Sequence, residues 1–105
     1  MALWLLALLL PGMSVPVLPG QTVKLSCALN PGYDIRDYGV SWYQQRPGSP
    51  PRYLLYYKSE VDKHKPSGVP DRFSATKDPA INACILTIAT VEAEDGADYY
   101  CSIML

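Results

Sequence analysis

The sequence has little of what nucleic-acid-binding proteins and enzymes depend on. Its 9 basic and 10 acidic residues give a net charge of −1, and the basic residues are scattered. A nucleic-acid-binding surface needs a massed basic patch, so we exclude this class. His64 is the only histidine, and it lies in a charged segment without a nucleophile elbow or phosphate loop nearby. We therefore expect no enzyme, no catalytic residue, no cofactor and no small-molecule substrate.

Closely spaced metal ligands are also missing. The three cysteines are Cys27, Cys84 and Cys101, and none forms the short-spaced ligand pair that a zinc site requires. We therefore expect no metal site. In an exported chain, widely separated cysteines instead indicate one long-range disulfide and one leftover thiol.

A long apolar run is absent too. The apolar segment Met1–Leu10 is too short to cross a bilayer as a helix, which takes about 20 residues. It matches the apolar part of a secretory signal, with Gly12 and Ser14 as small residues near a cleavage site, although no positive charge precedes it. We predict a signal peptide over residues 1–14 and no membrane span; a buried strand and a misassigned start are the alternatives.

The remaining residues 15–105 have room for one domain. Polar and apolar residues alternate over Thr22–Cys27 and Val40–Gln44, which is typical of half-buried strands. Turn signals separate about seven such strands, the charged stretch Ser59–Ser67 reads as a loop, and Glu92–Asp95 as a single helical turn. The pattern predicts an all-β chain folded as an antiparallel two-sheet sandwich.

Four sequence features converge on one family. Trp42 follows Cys27 by 15 residues, Tyr99 precedes Cys101 by two, and the segment Trp42–Gly48 follows the central strand. The fourth is the segment Gly68–Ser74 before the acidic turn. Together they resemble an immunoglobulin variable domain of light-chain type over about residues 19–103.

Within that class, the chain looks most similar to the VpreB family of surrogate light chains. The similarity lies in Ile35–Arg46 and Arg52–Tyr57, and Asn82-Ala83-Cys84 followed by Ile85–Ile88 resembles the third branch of the family. An ordinary lambda-type variable segment is the near competitor. The resemblance implies an immunoglobulin V-type Greek-key sandwich.

The resemblance also implies a disulfide between Cys27 and Cys101. Such a bridge closes a loop of about 75 residues, worth roughly 4–5 kcal/mol in the chain-entropy model. Arg72 is expected to pair with Asp95 as a structural ion pair. Cys84 is expected to be a free thiol in the core, with an intermolecular disulfide or a redox role as alternatives. The other expected core residues are Trp42, Leu86, Ile88 and Tyr99.

Strand alternation separates the core from a candidate interface. Val40 and Trp42 point to the core, so Tyr43 and Gln45 point away from it. The resemblance adds Tyr56, and this is the face that meets the heavy-chain variable domain in light chains. Tyrosines that merely coat a sheet are the alternative. The expected partner interface comprises Tyr43, Gln45, Pro51, Tyr53, Tyr56 and Tyr100.

The chain departs from a light chain at both ends. Only Ser102–Leu105 follow the second cysteine, so we expect the last strand to be missing and the first to be abbreviated. The strand Ala97–Ile103 then becomes an open edge that another chain can complete. A truncated fragment is the alternative.

These features predict a non-catalytic assembly subunit that resembles a surrogate light chain. Its expected partners are an immunoglobulin heavy chain, in early B-cell receptor assembly, and a second surrogate light-chain component. Alternatives are a truncated lambda-type variable segment that contributes to antigen binding, and a folding escort of the endoplasmic reticulum. We expect the chain in the secretory pathway, in the lumen of the endoplasmic reticulum or at the cell surface on a membrane-anchored partner.

Overall fold

The chain folds as two antiparallel sheets packed face to face. The structure is a computed structural model that describes the backbone of residues 2–7 and the whole of residues 17–104. The strands within this part are β1 (Ala2–Ala7), β2 (Val23–Ala28), β3 (Gly39–Gln45), β4 (Arg52–Ser59), β5 (Asp62–His64), β6 (Phe73–Asp78), β7 (Ala83–Ile88) and β8 (Asp98–Met104).

The larger sheet has the order β1-β8-β3-β4-β5 and the smaller one the order β2-β7-β6. This confirms the predicted all-β sandwich. A 3-10 turn at Ala93–Asp95 matches the helical turn predicted at Glu92–Asp95, and a second one lies at Ile35–Asp37. The prediction of a loop over Ser59–Ser67 was wrong in part, because Asp62–His64 pairs with β4 at the sheet edge.

Alternating residues of both sheets fill the core between them. Trp42 and Leu86 are fully buried, and Ile88 and Tyr99 nearly so. Every second residue of β2 and of β7 is buried from Leu25 and Leu86 onward, as the two-residue period of a strand requires. A disulfide joins Cys27 of the smaller sheet to Cys101 of the larger, so it links the two sheets across this core.

The pairing of β3 with β4 contains a β-bulge. Trp42 lies opposite Leu55 and Tyr43 lies opposite Tyr53, with a shift of register between the two pairs. Leu54 is therefore the extra residue of a bulge, which bends the strand and changes its alternation. Leu54 and Leu55 are both buried although they are neighbours in the sequence.

The expected open edge of β8 is occupied. Strand β1 pairs antiparallel with β8 over its whole length, from Ala2 opposite Met104 to Ala7 opposite Tyr99. The prediction that this edge is unpaired was therefore wrong for the described residues, because the chain's own amino-terminal segment satisfies the backbone groups of β8. This arrangement matches the alternative reading of the segment as a strand.

The abbreviated first strand is reduced to two backbone hydrogen bonds with Val91. Gly20 N–H donates to Val91 O, and Val91 N–H donates to Gln21 O, but residues 17–22 form no strand. The expected cleavage region around Gly12 and Ser14 lies outside the described residues, so the signal peptide over residues 1–14 stays a prediction.

Candidate protein-binding surface

Tyrosines lie together on the outer face of the larger sheet. Tyr43 of β3 lies opposite Tyr53 of β4 on one side and opposite Tyr100 of β8 on the other. Residues that face each other across antiparallel strands share a face of the sheet, so the three rings lie side by side. We call the following set the tyrosine surface: Tyr43, Gln45, Pro51, Tyr53, Tyr56 and Tyr100.

Five of the six members line one shallow depression of about 590 Å³; Tyr56 is the exception. The rings of Tyr43 and Tyr53 meet edge to face, with centroids 5.8 Å apart. This is a favoured arrangement for aromatic pairs, and it holds both rings in place. His64 of the edge strand β5 stacks on the other side of Tyr53, at 6.4 Å between centroids.

The glutamine of the tyrosine surface is positioned by its neighbours. Tyr100 Oη donates to Gln45 Oε1 at 3.4 Å, and Gln45 Nε2 donates to Ser49 O at 3.1 Å. Because both ends of the amide are engaged, its orientation is fixed before a partner arrives. A partner would meet a preorganised polar group among apolar rings.

The hydroxyl groups of Tyr53 and Tyr56 stay neutral at physiological pH. Burial raises the pKa of Tyr53, and the neighbouring Tyr43 and Tyr56 raise it further. Burial likewise raises the pKa of Tyr56, with Asp62 adding to the effect. The tyrosine surface therefore offers half-buried rings, and Tyr53 and Tyr56 add neutral hydroxyl groups. This composition suits a partner surface with apolar area and a few hydrogen-bonding groups.

Tyr56 reaches the outer face because of the bulge at Leu54. Its backbone lies opposite Ser41, one residue from Trp42 and so on the other face. Strict alternation from Tyr53 would have pointed Tyr56 into the core. The ring lies against Gly39, where an added β-carbon would come within 2.7 Å of Tyr56 Cζ. Glycine at this position makes room for the ring.

A largely buried ion pair joins the residue before β6 to the 3-10 turn before β8. Arg72 forms a two-pronged contact with Asp95, and Arg72 Nη2 also lies 2.8 Å from Glu92 Oε2. Burial by itself would raise the pKa of Asp95, but the Arg72 guanidinium and the Glu92 N–H hold it below its ordinary value. The carboxylate is thus held as a charged structural group.

A buried tyrosine joins that ion pair to the sheet. Tyr99 Oη donates to Asp95 O at 2.7 Å and accepts from Gln44 Nε2 at 2.9 Å. Gln44 and Tyr99 are both nearly inaccessible to solvent. This is the tyrosine corner that the spacing before Cys101 predicts, and it fixes where β8 begins.

One residue that organises a loop was missed by sequence reasoning. Asn82 has a left-handed backbone, with φ of 54°. Its Oδ1 accepts from Ile35 N at 2.9 Å, and its Nδ2 donates to Leu29 O and to Tyr33 O. Asn82 therefore holds the loop between β2 and β3. An asparagine in a turn just before a strand is the signal that could have indicated it.

Cys84 is a free thiol that is fully buried in the core. Burial raises the pKa of this thiol, and Trp42 partly opposes the effect. Among residues 17–104 no group of three histidine, cysteine or acidic side chains is arranged to hold a metal ion. None of the described segments is a helix of the length and apolarity needed to span a membrane.

Comparison with known proteins identifies the class. The model of the immunoglobulin V-set domain matches residues 12–105. The chain therefore belongs to the immunoglobulin V-set family, as its sandwich, inter-sheet disulfide and tyrosine corner indicate.

Within the family, the chain is similar to surrogate light chains. It is 67% identical over 88 residues to Pre-B lymphocyte protein 3 of Homo sapiens, covering 83% of this chain and 72% of that protein. It is 49% identical over 86 residues to the immunoglobulin omega chain of Mus musculus, covering 82% of this chain but only 61% of that protein. The predicted likeness to the VpreB family and its third branch is confirmed.

A lambda-type relative is also found. The chain is 40% identical over 90 residues to "Probable non-functional immunoglobulin lambda variable 11-55" of Homo sapiens, covering 86% of this chain and 73% of that protein. The lower identity makes the lambda-type reading the weaker of the two.

Proposed function

We propose that this chain is a non-catalytic, surrogate-light-chain-like subunit that binds an immunoglobulin heavy chain in early B-cell receptor assembly. The observation that carries the proposal is the clustering of Tyr43, Tyr53 and Tyr100 on adjacent strands of one sheet face. Half-buried tyrosines around a fixed glutamine have the composition of a protein interface. Similarity to Pre-B lymphocyte protein 3 supports this kind of role.

A second part of the proposal concerns the edge of β8. A partner strand, for example from a second surrogate light-chain component, would add to β8 by backbone hydrogen bonds. Strand β1 holds that edge in the structure, so the partner can bind there only after β1 leaves. Removal of the proposed signal peptide over residues 1–14 would vacate the edge. A chain made with such a signal peptide enters the secretory pathway, so we place its function there.

Two other roles receive less support. Antigen binding by a lambda-type segment would use the loop between β2 and β3. Hydrogen bonds from Asn82 account for the order of this loop, so that order does not support antigen binding. The escort role was favoured by an open edge and an unpaired thiol. The edge serves the proposed role equally, and Cys84 is fully buried in the folded chain, so its thiol gives the escort role no support.

The test is co-precipitation of the tagged chain with an immunoglobulin heavy chain in co-transfected cells. We expect wild type to capture the heavy chain and Tyr43→Ala/Tyr100→Ala to lose it, since truncating central aromatic anchors costs about 2–4 kcal/mol of binding. Tyr33→Ala is the matched control, because Tyr33 is an exposed tyrosine in a loop outside the tyrosine surface. Equal capture by the folded double variant and wild type would contradict the proposal.

The edge is tested on the same precipitate. Mass spectrometry of the captured chain should find an amino terminus beyond Ala7, because the proposed partner strand and β1 need the same backbone groups of β8. A captured chain that retains residues 1–7 would refute strand addition while leaving the tyrosine surface as the binding site.

A further inference from the structure

Three cysteines meet in the core, and two of them are placed to bond with the third. Cys84 lies directly opposite Cys27 in the pairing of β2 with β7. Opposed residues in antiparallel strands have Cα atoms about 4.5–5.5 Å apart and side chains on the same face. Disulfides form over Cα separations of about 4.4–6.8 Å. Cys27 is bonded to Cys101 across a Cα separation of 6.4 Å. Cys84 and Cys101 therefore both lie within the Cα separation that a disulfide with Cys27 requires.

The buried indole N–H of Trp42 faces the same cluster. Trp42 is fully buried, and no hydrogen-bond acceptor meets its indole N–H with ordinary geometry in the described part of the chain. The group that this N–H acts on is the Cys84 thiol, whose pKa it lowers against the effect of burial. Trp42 also lies opposite Cys101 in the pairing of β3 with β8. Burial outweighs this donor and leaves the pKa of Cys84 raised, so the folded core holds Cys84 as a neutral thiol beside the bridge.

We propose that Cys84 is an exchange partner for Cys27, so that the chain forms either of two disulfides. During folding, the Cys101 thiolate attacks Sγ of Cys27 in a Cys27–Cys84 bridge. The Cys27–Cys101 bond forms, the Cys27–Cys84 bond breaks, and Cys84 leaves as a thiolate that takes up the proton lost by Cys101. No external oxidant is consumed. The two bridges close loops of similar length, so chain entropy hardly separates them.

The two forms differ in what they hold together. The Cys27–Cys101 bridge joins the sheets, whereas a Cys27–Cys84 bridge would link two strands of the smaller sheet and leave the sheets unjoined. β8 would then carry a free thiol at Cys101. Because Cys84 is inaccessible in the folded domain, exchange belongs to the partly opened chain, before β8 has docked. The proposal does not depend on the identity of any partner.

The first experiment traps the alternative bridge. The full chain carrying Cys101→Ser is oxidised in a glutathione buffer, quenched, denatured and alkylated, so that a failure to fold does not obscure the readout. We expect that neither Cys27 nor Cys84 is alkylated, because a disulfide joins them. Cys84→Ala/Cys101→Ser is the matched control and should keep one alkylated cysteine. Thiols or glutathione adducts at Cys27 and Cys84, under conditions that fully oxidise wild type, would overturn the proposal.

The second experiment follows oxidative refolding of wild type. Cleavage after basic residues and after glutamate places the cysteines in three peptides, Leu25–Arg36, Asp78–Glu92 and Asp95–Leu105, which identifies each bridge by mass. We expect the Cys27–Cys84 pair at early times and its conversion to Cys27–Cys101. Cys84→Ala should reach the native bridge severalfold faster, since the competing partner is gone. Absence of the Cys27–Cys84 pair at every time point would refute the exchange.

Discussion

At the scale of single residues, the acidic cluster around Arg72 shows how one buried charge organises its surroundings. The guanidinium contacts the carboxylates of Asp95 and Glu92 and lies over the ring of Phe73. Asp95 also accepts from the Glu92 N–H at 2.8 Å. A buried pair of this kind is costly to break because the remaining partner is left without compensation.

The ion pair makes stability depend on pH. The pKa of Asp95 is lowered in the folded chain from an ordinary value of 3.8, so its stabilising contribution is full above that value and is lost as the pH falls through the folded value. We expect the difference in free energy of unfolding between wild type and Asp95→Asn to be largest near pH 7 and to shrink below about pH 4. Denaturant unfolding over this range measures it.

Asp71→Asn is the control for that titration, since Asp71 is fully exposed and its salt bridge, to Lys65 at 3.4 Å, lies at the surface. Its difference from wild type should stay small at every pH, as surface pairs contribute little. A pH-independent difference for Asp95→Asn would show that the charge of Asp95 is not what stabilises the fold.

At the scale of elements, the strand β4 matters most because its bulge shapes the tyrosine surface. Without the extra residue Leu54, Tyr53 and Tyr56 could not both face outward. Gly39 of the neighbouring strand completes this arrangement by leaving space for the Tyr56 ring.

Gly39→Ala should therefore act on binding through Tyr56. The added methyl group would displace the end of the Tyr56 ring, while the backbone at Gly39 needs no positive φ. We expect a change in stability below about 1 kcal/mol and a roughly tenfold weakening of the proposed binding to a heavy chain. Titration of the two purified chains measures the affinity. The double variant Gly39→Ala/Tyr56→Ala should bind no worse than Tyr56→Ala, and additive losses would contradict this mechanism.

The loop between β2 and β3 depends on Asn82 in a comparable way. Asn82→Ala removes the hydrogen bonds to Ile35, Leu29 and Tyr33. It also leaves an alanine in the left-handed backbone region, which disfavours a residue with a β-carbon. We expect a loss of about 2–4 kcal/mol of unfolding free energy, with faster hydrogen exchange at the Ile35 amide. Asn82→Gly keeps the backbone freedom, so it isolates the side-chain bonds. Unchanged exchange at Ile35 in both variants would rule out this role.

At the scale of the whole molecule, stability rests on the bridge between the sheets. The disulfide spans a sequence separation of 74, which is worth about 4.5 kcal/mol by chain entropy. Domains of this size are stable by about 5–15 kcal/mol in total. The bridge is therefore comparable with the lower end of that range.

We expect Cys27→Ala/Cys101→Ala to be largely unfolded near 37 °C, as measured by circular dichroism during thermal unfolding. Cys84→Ala keeps the bridge and removes one buried sulfur, so it should cost only about 1 kcal/mol. If the double variant melts within a few degrees of Cys84→Ala, the core and not the bridge carries the stability.

The sequence by itself determined the sandwich and most of its core. Alternation over short strands, the spacing of Trp42 from Cys27 and the tyrosine before Cys101 are local patterns, and local patterns suffice to indicate strands and a known corner. The same alternation placed Tyr43 and Gln45 on the outer face. A resemblance, not alternation, was needed for Tyr56, because a bulge interrupts the period.

Only the tertiary structure decided the features that depend on register between distant segments. The bulge at Leu54, the pairing of Ala2–Ala7 with β8 and the position of Cys84 opposite Cys27 are all set by which residues of two strands face each other. The composition and spacing of residues along one strand do not determine which residues of the partner strand lie opposite them. Register follows from the burial of whole sheet faces, and that is a property of the assembled sandwich.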